Sequence, residues 1–557
     1  MLSLQMKMVS SLEKCFLDDA MDSKTEKNRF IMFANEKLSF QVMYHADVLD
    51  EGIATYSGDL SVTGTLAPYA EIRQVANVPN QFPTYNVSPG GEFIRTEPGL
   101  YPDLIRPLVY PNRIPLPHNQ THALWVNIRL PEDFAAGTYD LTLSLNDRNG
   151  PMASVTGEVT VLAEKLPAQT FIHTEWFYTD CIANYYHVKA FSKQHWKHIE
   201  GYMRTAVEHG INMIMTPVFT PELDTYVGGE RLTTQLVDIE LTADGTYVFG
   251  FGKLHQWIDL ALKCGVQYFE IPHFFTQWGA KAAPKIVVKV NGRRQKYFGW
   301  HTESTGEKYK DFLAQFIPAL LAEFRSRGLD HKCYFHISDE PSLKALDHYR
   351  TCKEMVAPYL KGYPIIDALS ELEFYTSGAI EKPAPNTRSA HKFHEAGIPG
   401  LWAYYCGGGR AGVADRSISM PSHRTRMLGV QLYYYNIEGF LHWGYNFYNT
   451  RFSTRRLNPY MVTDAGARFP AGDSFLVYPG EGGVPEESLR MMVLNEALND
   501  LRALRFLESL TSREFVLDLV EGDLAEPITF KCYPKSDMYL ITLRNRVNKE
   551  IAKRACK

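Results

Sequence analysis

Tyr334-Phe335-His336-Ile337-Ser338-Asp339-Glu340-Pro341 is a short alternation of apolar and polar residues that ends on two adjacent carboxylates and a proline. The alternation reads as a β-strand, with Phe335 and Ile337 on one face and Tyr334, His336, Ser338 and Glu340 on the other. Pro341 stops it, because its ring has no N–H for a continuing ladder and holds the preceding residue extended. If the apolar face packs on helices, the polar face points into a barrel or cleft, with Glu340 at its mouth beside Asp339. Two neighbouring carboxyls cannot ionise equally well, so one holds its proton to higher pH. An ionised group beside a protonated one is what acid–base chemistry at a glycosidic bond needs. Alone, the octapeptide reads more simply as a strand-to-helix turn whose acids cap the helix opening near Pro341.

The surrounding chain changes that weighting. From residue 171 onward it alternates strand and helix patterns. Eight candidate strands fall at 171–178, 211–216, 266–272, 333–338, 363–368, 373–379, 400–405 and 438–445. Helical patterns lie at 192–209, 252–264, 307–327, 342–358 and 421–436, with a last one at 486–508. This rhythm predicts a (β/α)8 TIM-type barrel over 170–510, with hairpin insertions at 233–251 and 284–300. Before it, Leu38-Phe40-Val42-Tyr44, Leu124-Val126-Ile128-Leu130 and Tyr139-Leu141-Leu143-Leu145 alternate with period two. They are followed by 155–161 and separated by turns such as Ser88-Pro89-Gly90-Gly91. That predicts an N-terminal antiparallel β-sandwich over 1–165. The runs 527–533 and 538–543 predict a small C-terminal β appendage over 511–557.

With 557 residues the chain is long enough for two or three domains, and 45% hydrophobic with 22% charged residues is the balance of a globular protein. A net charge of -5 without a basic stripe argues against a nucleic-acid partner. No run approaches the length of a membrane span, and the N-terminus lacks the apolar core of a secretory signal, so a cytoplasmic location is expected. In that compartment the Asn86-Val87-Ser88 and Asn119-Gln120-Thr121 triplets carry no meaning as glycosylation sites. The eight cysteines show no paired spacing and are expected as free thiols.

In a barrel, chemistry collects at the C-terminal strand ends, where Asp339 and Glu340 fall. Other strand ends bring Trp176 and Tyr178, His273, Trp402 with Tyr404 and Tyr405, and Trp443 with Tyr445 and Asn446. The loop 472–480, with Tyr478, falls on the same side. A ring of aromatic faces around two acids suits a pyranose, although core packing is the better reading for any one of them. Tyr404 and Tyr405 alternate, so only one can face the cleft. His336 reads as a satisfied interior histidine. Cys406-Gly407-Gly408-Gly409-Arg410 lacks the spacing and the Lys-Ser/Thr of a phosphate loop. The His195/His198 and His391/His394 pairs have no third metal ligand in view. No cofactor and no metal are expected.

In these motifs the sequence resembles glycoside hydrolase family 123. Pro98-Gly99-Leu100-Tyr101-Pro102-Asp103 and Leu124-Trp125-Val126-Asn127-Ile128 are similar to the family's β-sandwich signatures. Ser338-Asp339-Glu340-Pro341 resembles its catalytic pair. Residues 401–406, 439–446, 472–479 and 496–500 match further strand ends, the last loop and the last helix. The resemblance implies a retaining β-N-acetylhexosaminidase, of the β-N-acetylgalactosaminidase type, acting on an oligosaccharide or glycoconjugate. It implies substrate-assisted catalysis, with Glu340 as general acid and base and Asp339 orienting the 2-acetamido group. Trp402, Tyr404, Tyr405, Trp443, Tyr445, Asn446, His273, Trp176 and Tyr478 are the candidate substrate-binding residues. Two other readings stand beside it: a carbohydrate-binding relative without turnover, and a glycosidase for sugars lacking the acetamido group.

Overall fold

The computed structural model describes residues 2–48, 56–85, 92–407 and 412–555. The Asn86-Val87-Ser88 triplet, the turn at 88–91, Gly408 to Arg410 and Cys556 lie outside the described residues. Two compact units form: Met1–Gln169 with Ala414–Tyr434 and Glu486–Lys557, and Thr170–Val413 with Tyr435–Pro485.

In the first unit, Leu2–Ser10, Lys37–Val48, Thr121–Arg129, Ala70–Asn80, Gly99–Arg106 and Glu486–Ser488 neighbour one another in that order. A second sheet runs Arg29–Phe33, Gly150–Leu162, Gly137–Asp147, Tyr56–Thr63 and Arg113–Leu116. Phe40, Val42, Tyr44, Leu124, Val126 and Ile128 of the first sheet share one core with Leu141, Leu143, Leu145, Val159 and Val161 of the second. These are the alternating positions of the sequence. The other face of the first sheet is also covered: Met43, Val75 and Trp125 pack with Leu489, Met492 and Val493 of the helix Leu489–Leu510. Burying side chains of this size is worth roughly 1.5–3 kcal/mol each, which is why that helix joins this unit and not the second.

Three expectations are corrected here. The first strand, Leu2–Ser10, was not anticipated, although Leu4, Met6 and Met8 alternate and pack into the core. The C-terminal segment is helical, with helices at Arg513–Glu521 and Asp537–Ala555 and no strand among its described residues. The apolar run 538–543 reads as a strand only when cut short. Leu540, Leu543, Val547 and Ile551 are buried at three- and four-residue spacing, the period of one helical face. The domain boundaries also differ: helices Ser422–Tyr434 and Leu489–Leu510, expected in the barrel, belong to the first unit. They cross closely at Gly429, where a Cβ would lie 2.0 Å from the Ala497 carbonyl oxygen.

The second unit holds the parallel strands: β1 (Ile172–Glu175), β2 (Met213–Met215), β3 (Tyr268–Glu270), β4 (Cys333–Tyr334), β5 (Ile366–Leu369), β6 (Lys382–Pro385), β7 (Trp402–Tyr404) and β8 (Gly439–His442). Six of them form one sheet in the order β4-β3-β2-β1-β8-β7, and β5 pairs with β6. Single parallel bridges, Phe335 to Ile365 and Asn386 to Tyr404, link the two sheets at both ends. Side chains from six strands, Ile172, Met213, Tyr334, Ile366, Ala384 and Trp402, meet in one buried cluster.

Seven strands fall where the sequence places them. The run 373–379 does not: Glu373–Thr376 is a short helix, and the sixth strand is Lys382-Pro383-Ala384-Pro385. Its two prolines have no N–H to donate, so the sequence disguises it as a loop. The hairpins appear at Asp238–Leu241 with Tyr247–Gly250 and at Ile286–Val290 with Arg293–Phe298, and they join as one sheet through Glu240 and Lys289. Helices Lys193–Glu208, Gly252–Cys264 and Glu307–Ser326 match the expected spans. No helix among the described residues is long and apolar enough to cross a membrane, and the seven described cysteines are free thiols.

Candidate active site

Past Tyr334 the chain runs through Phe335, His336, Ile337 and Ser338, all buried, and surfaces at Asp339 and Glu340. Extended backbone would send these two side chains to opposite faces. Glu340 instead adopts φ 42°, and both carboxyls line one cavity of about 210 Å³. A left-handed non-glycine residue costs of order 1–3 kcal/mol and persists only where the surroundings impose it. Here the Glu340 N–H donates to the Ala368 carbonyl (3.1 Å), the Asp339 carbonyl accepts from Trp278 N–H (2.8 Å), and the Ser338 hydroxyl donates to the Thr276 carbonyl (2.9 Å).

Of the aromatic candidates, Trp176, Tyr404 and Trp443 line the same cavity. Tyr404 donates its hydroxyl to Glu340 Oε1 at 2.5 Å. Burial, then the Glu340 charge, pushes the Tyr404 phenol well above its ordinary pKa, so it stays a neutral donor. Trp443 donates its indole N–H to Asp473 (3.2 Å), which also accepts from Gly407 N–H (3.1 Å). The other candidates are placed elsewhere. Trp402 is in the buried cluster, pressed on Gly439, where a Cβ would lie 2.4 Å from the indole. Tyr405 packs on Phe440 and His442. Tyr445 stacks on Phe177 and donates to the Tyr202 carbonyl. Tyr478 packs against Phe475 and Tyr460. Asn446 holds the main chain of Tyr178. His273 is buried face to face with His336, ring centroids 4.3 Å apart, with no hydrogen-bond partner on either nitrogen.

Beneath the cavity lies a sealed polar network. Glu270 accepts from Trp176 Nε1 (2.9 Å), from the Thr174 hydroxyl and from His336 Nε2 (2.7 Å). The other His336 nitrogen faces Asp367 (3.2 Å), which also accepts from the Ile337 N–H and the Tyr349 hydroxyl. Burial opposes charging of His336, but these hydrogen bonds to Asp367 and Glu270 outweigh it and lift its pKa to about 9. His273, buried and beside that positive ring, is held well below the usual histidine value. Asp339 is raised well above the ordinary aspartate value, first by burial, then by the charges of Glu340, Asp367 and Asp224, with His336 opposing. The expectation that one acid of the pair keeps its proton thus falls on Asp339.

Among the described residues, His273, His336 and Asp367 form the one trio whose ligand atoms lie within 4.8 Å of one another. In this structure His336 lies between Asp367 and Glu270, which ties the trio into the buried network.

Sequence reasoning missed several residues at the cavity: Asp224, Gln277, Trp278, Arg451 and Phe469 line it, together with Tyr178 from a strand end and Cys406 from the loop after β7. Most lie on irregular loops, where no periodicity betrays facing. Sequence reasoning also passed over Glu270, although a carboxylate inside the apolar strand Tyr268–Glu270 is a signal in itself.

Residues 176–507 match the family model described as glycoside hydrolase 123, catalytic domain. The chain belongs to glycoside hydrolase family 123. Among solved structures it is similar to a family 123 glycoside hydrolase from Clostridium perfringens, whose study concerns glycolipid glycan hydrolysis. The identity is 15%, 99% of each chain is covered and the TM-score is 0.73, a likeness of fold. A GH5 xyloglucanase from Bacteroides ovatus matches at TM-score 0.31 and 9% identity over 89% of this chain and 100% of its own. A β-glucuronidase from Ruminococcus gnavus matches at TM-score 0.33 and 8% identity, over 83% and 66%. No curated protein sequence matches the chain. As a family 123 member the protein is a glycoside hydrolase, and its substrates are glycans.

Proposed function

We propose that this glycosidase is a retaining β-N-acetylhexosaminidase of the β-N-acetylgalactosaminidase type, working with the substrate's own 2-acetamido group as nucleophile. The observation that carries the proposal is the left-handed backbone at Glu340, which turns two consecutive carboxyls into one cavity. Glycosidases that supply their own nucleophile set two carboxyls on facing walls, several ångströms apart. Neighbouring acids suit a sugar that attacks its own anomeric carbon. The acetamido oxygen bonds to C1 as the C1–O bond to the leaving group breaks, and Glu340 gives its proton to the departing oxygen. Asp339 accepts the acetamido N–H and offsets the positive charge of the oxazolinium ring. Water then attacks C1 and passes its proton to Glu340, which reopens the ring.

The raised proton affinity of Asp339 fits this order. An N–H donor arriving at Asp339 favours its ionised form and leaves the shared proton to Glu340, beside the leaving oxygen. Holding the acetamide in attack geometry makes the step intramolecular, and a positioned acid adds roughly 10²–10⁴-fold. We further propose that the eight parallel strands close as a (β/α)8 barrel, a reading supported by the two bridges between the sheets and by the six-strand cluster.

Paired nitrophenyl β-glycosides with and without the 2-acetamido group are the test. Turnover of the acetamido sugars, slowed by Asp339→Asn even with a good leaving group, is the expected result. Faster turnover of the plain hexosides would sink the proposal.

A further inference from the structure

Tyr178 lines the catalytic cavity and is 3% exposed, and its hydroxyl is buried with no hydrogen-bond partner. A buried hydroxyl without a partner forfeits the bonds it made to water, and native proteins rarely tolerate that without a purpose. The rest of the side chain is immobilised. The Arg231 guanidinium lies 4.7 Å over the ring and is itself fixed by two hydrogen bonds to Asp180 (2.9 and 2.7 Å). Phe447 meets the ring edge-on at 5.1 Å, and Asn446 accepts from the Tyr178 N–H (2.8 Å) and donates to its carbonyl (3.2 Å). Burial raises the phenol far above its ordinary pKa, so it remains an O–H donor.

The same cavity also holds an acceptor. The Asp224 carboxyl lines the same cavity and acts on the phenol more strongly than Asp339 does. It too is held in place: Oδ2 accepts from Phe452 N–H (2.9 Å), and the Asp224 N–H donates to Gln277 (2.6 Å). A fixed donor and a fixed acceptor lining one cavity complement one group above all, a hydroxyl, which accepts and donates through a single oxygen.

We propose that Tyr178 and Asp224 together bind one ring hydroxyl of the sugar, distinct from the amide held at Asp339. Tyr178 donates to the hydroxyl oxygen, and the hydroxyl donates to Asp224. The pair therefore helps to set which sugar epimer the cavity accepts. It presupposes a saccharide in this cavity, as proposed above.

The test combines Tyr178→Phe with the nitrophenyl β-N-acetylgalactosaminide and its 3-, 4- and 6-deoxy analogues. On the parent sugar, kcat/KM should fall by about 10- to 100-fold. One deoxy analogue should already be slow with the wild-type enzyme and lose nothing more in the variant, while the other two show the full loss. Asp224→Ala should pick out the same analogue. The thermal midpoint of Tyr178→Phe should equal or exceed that of the wild type, because no bond within the free protein is lost. An unimpaired Tyr178→Phe, an equal loss on every analogue or a lowered midpoint would each overturn the assignment. If Glu340→Gln is inactive while Tyr178→Phe is unimpaired, only this assignment fails. If the wild type hydrolyses no acetamido sugar, the functional proposal fails with it.

Discussion

The Tyr404 hydroxyl donates to Glu340 Oε1 across 2.5 Å, from the end of β7 to the turn that follows β4. It fixes the carboxyl that the left-handed backbone brings into the cavity. A hydrogen bond to a charged group is worth about 1.5–3 kcal/mol. Tyr404→Phe should therefore lower kcat by about tenfold or more on natural glycosides, with KM little changed. Steady-state kinetics decide it: a change confined to KM would show that Tyr404 serves binding alone.

Glu340→Gln should nearly abolish turnover of natural glycosides but spare the first step for dinitrophenyl substrates, whose leaving group needs no proton. A burst of dinitrophenol before a slow steady state is the expected record. Wild-type turnover of a natural glycoside by this variant would remove Glu340 from the acid role.

Asp339→Asn should raise stability at neutral pH while slowing turnover. The native pKa lies above the unfolded one, so the native state binds the proton more tightly and stability declines as pH rises through that interval. The amide has no charge to bury, so the variant's gain should be largest at neutral pH and vanish as pH falls below about 4, the ordinary aspartate value. Thermal midpoints of both proteins against pH check this. A gain that grew toward low pH would contradict it.

His336 has the same sign with another window. Its native pKa of about 9 exceeds the ordinary value of 6.5, so its stabilisation is complete below about pH 6.5 and is lost as pH rises through about 9. The thermal midpoint should drop over that interval, and the ring nitrogens, followed by NMR, should titrate near its upper end. Titration below pH 7 would mean that the ring is not held as a cation.

Gly439→Ala should destabilise the second unit without touching the cavity, since the new Cβ would fall 2.4 Å from the Trp402 indole. Overpacking of this kind costs about 1–3 kcal/mol. Gly439→Ala paired with Trp402→Phe should recover much of the loss in denaturant unfolding. No recovery would locate the strain elsewhere.

The strands were legible where one face is buried, as in Leu141, Leu143 and Leu145, because period two survives in the residue order. Lys382–Pro385 was not, because a strand built around prolines carries the marks of a loop. Asp339 and Glu340 stood out by composition, and Trp176, Tyr404 and Trp443 by position at strand ends. Trp402 and Tyr445 shared that position but fill the interior, since strand order tells which residues lie near an end and not how deep a side chain reaches. Asp224 and Arg451 stayed hidden because loops carry no period to read.

The first unit takes its residues from three separate stretches of chain, and the sheet formed by Leu2–Ser10 and Thr121–Arg129 is covered by the helix at 489–510. On the ribosome, strands made first must wait for a partner made more than three hundred residues later, with Trp125 and Met43 uncovered meanwhile. Synthesis at about 5–20 residues per second makes that wait tens of seconds, long enough for a chaperone to matter. Neither unit can be produced as one uninterrupted fragment, so dissecting this enzyme calls for circular permutation or co-expression of pieces, not truncation.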